Sequence, residues 1–158
     1  MLVCVVGALL FLALRTPAPA RTSLRALSPS QEIIRIKTQK TTAEQSVELT
    51  KLLERVGPLE AQEELLRSGL PFTGETHLLV HTIGNYVYDE YGSEGLSYCK
   101  DYFLSACYHA FILNTLGDHG MTGMVEVMEH CNKAGPGVYP QCSHGAGHGF
   151  TAWHDYDL

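Results

Sequence analysis

Basic residues are scarce in the second half of this 158-residue chain: residues 69–158 hold only Lys100 and Lys133 against ten Asp and Glu, whereas residues 1–68 hold nine Lys and Arg against seven. A half so poor in positive charge offers no surface for phosphate backbones, so nucleic acid is not expected as a partner. Long apolar runs are missing as well. The longest, Leu2–Leu14, covers thirteen residues, short of the roughly twenty that carry a helix across a bilayer. No C-x-x-C pair occurs, which removes the usual zinc–thiolate spacing and the attachment motif of c-type haem. No stretch alternates apolar and polar residues between hairpin turns, which sets aside an all-β fold. The glycines at 145, 147 and 149 follow no strand and precede no P-loop lysine, so a phosphate cradle is a weak reading of them.

What is present begins with the apolar run itself. It is followed by Arg15 and the small-residue stretch Pro17-Ala18-Pro19-Ala20, the order of a signal-peptide core and cleavage site. No Lys or Arg precedes the run, so residues 1–20 read as either a cleaved signal peptide or an N-terminal membrane anchor. Either route exports the chain to a periplasmic, extracellular or lumenal compartment. If Cys4 leaves with that segment, Cys99, Cys107, Cys131 and Cys142 remain, an even number, as a disulfide framework in an oxidising compartment requires. Pairing Cys99 with Cys107 and Cys131 with Cys142 closes the shortest loops, each worth roughly 2–3 kcal/mol by chain entropy.

Residues 21–40 mix basic, hydroxyl and proline residues without a sustained period and are expected to be a loosely ordered lead-in. The following domain, 41–158, is expected to be all-α. Thr41-Thr42-Ala43-Glu44 has capping-box spacing, and Val47, Leu49, Leu52, Leu53 and Val56 follow before Gly57-Pro58. A short helix follows from Pro58 to about Ser68, then one from about Thr76 to Tyr91 ended by Gly92. Another opens at Asp101 or Ser105 and stops at Gly117, a further one spans Thr122 to about Cys131, and a last one follows Cys142. Cys107-Tyr108-His109 and Cys142-Ser143-His144 share a C-x-H pattern thirty-five residues apart, the period of a stacked helix-turn-helix repeat. The chain stops four residues after His154 with no capping residue, consistent with truncation at the C-terminus.

The chemistry lies in the histidines. His77-Leu-Leu-Val-His81 and His144-Gly-Ala-Gly-His148 are two pairs at i,i+4 spacing, which on a helix places both rings on one face a turn apart. His109 is a fifth candidate ligand. Imidazole-rich sites suit zinc, iron or copper, and the lack of grouped carboxylates disfavours calcium and magnesium. Leu78 stands where a zincin has its glutamate, so that general base is missing. Glu75 or Asp89 is expected to orient a ring of the first pair. Three glycines around the second pair each cost about 1 kcal/mol in a helix, a cost explained if another helix or a ligand comes close; the competing reading is a solvated glycine-rich loop. His119, His130 and His154 are expected at the surface, and the many tyrosines are expected to pack with their hydroxyls at a boundary.

The sequence thus points to an exported helical protein binding a transition metal, with a metal-dependent hydrolase or oxidase as the catalytic version. The alternatives are a non-catalytic, disulfide-stabilised interaction module, whose protein partner the sequence does not name, and a metal carrier.

Overall fold

Two capping boxes start the chain's first helices: Ser28 with Gln31 opens α1 (Pro29–Lys37), and Thr41 with Glu44 opens α2 (Thr42–Val56). Each box satisfies amide donors that would otherwise be orphaned at a helix start. Gly57, at φ 83°, ends α2 and hands over to α3 (Pro58–Arg67), whose leading proline has no amide hydrogen to lose. Thr73 caps α4 (Gly74–Tyr91); a 3₁₀ segment, Gly92–Tyr98, leads to Cys99; α5 (Ala106–Lys133) and α6 (Tyr139–Trp153) complete the fold. This computed structural model describes residues 26–133 and 135–154, among which there is no strand. The signal peptide or anchor expected over 1–20, Cys4 and the last four residues lie outside the described residues.

The all-α fold stapled by two local disulfides is as expected. Cys99 pairs with Cys107 and Cys131 with Cys142, with Cα atoms 5.4 and 5.7 Å apart. The first bond ties the end of the 3₁₀ segment to the first turn of α5, and the second ties the end of α5 to the first turn of α6. No described helix is long and apolar enough to cross a membrane.

Two expectations need correction. The lead-in assigned to 21–40 contains α1, whose Ile33 and Ile36 are fully buried. Nine residues make a marginal helix in isolation, and the pattern is hard to see between charged neighbours; packing against α2 and α3 is what holds it. Gly117 does not stop its helix either. The helical path continues to Gly120, whose φ of 56° and ψ of −146° make a kink inside α5. A helix interior tolerates glycine at modest cost, and only the second glycine adopts the conformation that breaks it.

One apolar core runs from Ile33 and Ile36 through Leu49, Leu53, Ile83 and Phe111 to Ala146. Within it α5 is flanked by α4 and by α6. The interhelical approach is set by glycines. A Cβ at Gly84 of α4 would strike the Cys107 carbonyl and lie 2.7 Å from the Ala110 Cβ; at Gly145 and Gly149 of α6 it would lie 2.8 Å from the Tyr108 Cβ and 2.9 Å from the Ile112 Cγ2. Gln62 of α3, almost fully buried, adds a polar anchor: its Nε2 donates to the Pro58 and Tyr98 carbonyls at 3.0 and 2.8 Å, and its Oε1 accepts from the Lys100 amide at 2.9 Å. That anchor holds the chain just before the turn into α5.

Candidate metal centre

His77 and His81 lie one turn apart on α4 and face α5, and His144 and His148 lie one turn apart on α6 on its other side. The glycines place them there. Gly84 and the pair Gly145 and Gly149 let both helices close onto α5, which brings the flanking histidines within reach of the ring of His109. That ring meets all four of the others, with centroid separations of 5.1 Å to His77, 5.9 Å to His81, 5.3 Å to His144 and 4.6 Å to His148.

The five rings form two candidate groups of three that share His109: His77, His81 and His109, and His109, His144 and His148, each offering nitrogens within 4.8 Å of one another. His109 is buried, His77 and His81 are half-buried, and His144 and His148 are exposed. The cluster therefore runs from the interior to the surface.

Hydrogen bonding fixes part of the proton arrangement. His77 Nδ1 lies 2.7 Å from the Phe103 carbonyl; a carbonyl only accepts, so Nδ1 carries the proton and Nε2 presents its lone pair. At that Nε2 converge His81 Nε2 at 3.0 Å and His109 Nδ1 at 3.3 Å. Three ring nitrogens from two helices thus point at one small volume. The other nitrogen of His109, Nε2, is buried without a hydrogen-bond partner, one of three such side-chain atoms among the described residues. Buried polar atoms are seldom left unpaired, and an unpaired imidazole nitrogen between histidines is a donor atom available to an ion.

Burial, reinforced by the neighbouring His77 and His148, pushes His81 down to about 4. His109 is pushed down to about 3 by burial first and then by the surrounding histidines. Both rings are neutral at pH 7, the form in which imidazole ligates a metal. Among the described residues, both groups consist of histidine alone. The donors fit zinc, copper or iron.

The orienting partner of the first pair differs from expectation. Neither Glu75 nor Asp89 holds a ring: Glu75 pairs with Lys37 of α1 at 3.1 Å, and Asp89 is exposed. The role falls to the Phe103 carbonyl, which belongs to a turn of three consecutive left-handed residues, Phe103, Leu104 and Ser105, with φ of 52°, 56° and 57°. Side chains other than glycine pay about 1–2 kcal/mol each for that conformation, and no glycine or asparagine in the sequence announced it. The Cys99–Cys107 bond, the Tyr108 hydroxyl donating to the Cys99 carbonyl at 3.0 Å and the Phe72–Phe103 ring stack all border the turn.

His119 and His154 are exposed as expected, while His130 is half-buried. His130 lines a separate cleft of about 440 Å³ between the two disulfides, which also takes in Lys100, Lys133 and Tyr108 but none of the five clustered histidines. Several tyrosine hydroxyls are engaged elsewhere: Tyr88 donates to Asp118, Tyr102 to Glu63 and Tyr108 to the Cys99 carbonyl.

Fold and site together define a disulfide-stapled helical domain with a histidine cluster between three helices. No protein-family model, curated protein or solved structure matches the chain, so function is argued from the site itself.

Proposed function

We propose that this protein is an exported transition-metal-binding domain whose ligands are His77, His81, His109, His144 and His148. The observation that carries the reading is the convergence of His81 Nε2 and His109 Nδ1 on His77 Nε2, whose own Nδ1 is tied to the Phe103 carbonyl. A ligand ring held by its second nitrogen is the usual arrangement around a bound metal. Two local disulfides support residence in an oxidising compartment, and the signal peptide or anchor over 1–20 is the proposed route there.

The exposed rings of His144 and His148 favour a site that reaches solvent. A metal held by three nitrogens keeps a coordination position open, the feature that lets zinc activate water or copper and iron meet oxygen. A metal-dependent hydrolase or oxidase is the catalytic form of the proposal. The same exposure favours a carrier that exchanges its ion, and turnover separates the two.

The test is elemental mass spectrometry on the full chain purified after export, beside His77→Ala and His148→Ala. About one or two equivalents of zinc, copper or iron are expected, reduced in each variant, with helicity by circular dichroism unchanged. Metal-free protein with intact helicity, unable to take up any of the three ions on addition, overturns the proposal and leaves the non-catalytic interaction module.

A further inference from the structure

Five histidines are more than one tetrahedral ion uses, and their arrangement is not a single ring of donors. Each outer pair comes from one helix, and the two pairs flank the central His109 of α5. His109 is common to both groups of three. Its Nδ1 faces the first pair through His77 at 3.3 Å, and its Nε2, on the other edge of the ring, is buried and unpartnered. An imidazole has only these two nitrogens, so one group claims the first and the second is left for the other.

We infer that the centre is dinuclear, with His109 bridging two transition-metal ions: one bound by His77, His81 and His109 Nδ1, the other by His144, His148 and His109 Nε2. This rests on the proposed metal-binding function and gives that site its stoichiometry and its wiring. Coordination at both nitrogens displaces the single N–H proton of the ring to solvent, so each chain releases one proton from His109 when the second ion binds. Each ion then has three nitrogen donors and one open position. The two are unequal: the His77–His81 ion sits in the half-buried end, and the His144–His148 ion sits at the exposed end. The exposed ion is the one that meets substrate and exchanges, while the inner ion holds the bridge in its doubly ligated form. The burial of His109 serves the same arrangement, because a ring enclosed by the other four histidines is kept from water.

Copper(II) is a suitable probe because two copper ions joined through one imidazolate couple magnetically and lose the resonance of isolated ions, whereas two separate sites keep it. Full-length protein is titrated with copper(II) alone, followed by metal analysis and electron paramagnetic resonance. The expected result is two ions per chain with a resonance far weaker than two isolated ions give. The double variant His144→Ala/His148→Ala is expected to retain one ion with an ordinary isolated signal, as is His77→Ala/His81→Ala. Because both leave His109 in place, the outcome does not depend on how well a His109 substitution folds. Two ions with full isolated intensity overturn the bridge. One ion per native chain, or no bound copper, also overturns the bridge, while the metal-binding function stands or falls on the uptake of zinc, copper or iron.

Discussion

At the residue scale, His109 and His81 couple the site to acidity. Both are held low in the folded chain, His109 at about 3 and His81 at about 4, because burial and adjacent rings penalise the imidazolium. In the unfolded chain they return to about 6.5. Between 6.5 and those folded values the unfolded state binds more protons, so their contribution is complete above about pH 6.5 and is lost as pH falls through that window. The urea midpoint of metal-free protein is therefore expected to drop between pH 7 and pH 5, and His109→Gln is expected to flatten the dependence. Equal slopes for the native protein and the variant would show that the ring is not held neutral by its surroundings. The spacing of His77 and His81 was legible in the sequence because i,i+4 geometry is local. The partner of His77 was not, because the Phe103 carbonyl is twenty-six residues away and presented by a left-handed turn that ordinary side chains conceal.

Elements meet here through glycine. The three glycines of the second histidine segment serve different ends: Gly145 and Gly149 admit the side chains of α5 at less than 3.0 Å from an added Cβ, while Gly147 has nothing within 4 Å. Gly84 admits the α5 backbone itself. Gly84→Ala is accordingly expected to destabilise by about 1–3 kcal/mol, as overpacking does, and to weaken metal binding by moving α4 and its histidines away from His109. Gly147→Ala is expected to raise stability by up to about 1 kcal/mol through helix propensity. Urea denaturation of the two variants checks the pair, and a similar response in both would sink the close-approach account. The capping box at Thr41 and the stops at Gly57 and Gly92 could be read directly from the sequence, since each is settled within a turn of chain. Gly117 misled for the same reason: nothing local says which of two nearby glycines, 117 or 120, takes the conformation that breaks the helix.

At the scale of the whole molecule, one core joins the N-terminal helices to the histidine-bearing ones. Ile36 of α1 has no exposed surface and belongs to the same cluster as Phe111 and Ala146. Ile36→Ala is expected to cost about 2–5 kcal/mol, the range for a truncated buried aliphatic side chain, and to unfold the chain in a single transition. A loss below about 0.5 kcal/mol by thermal or urea denaturation would return residues 21–40 to the status of a tether. The sequence alone determined the helical class, through periodicity and caps. It also determined the parity of the cysteines with their shortest pairing, and the histidine pairs themselves, all of which depend on residues within a few turns of one another. Tertiary structure alone decided that α4 and α6 close on α5, that His109 stands between the two pairs, and that α1 is part of the core. Those contacts join residues far apart in sequence, and they depend on which surfaces fit together when water is excluded, a property that no local spacing encodes.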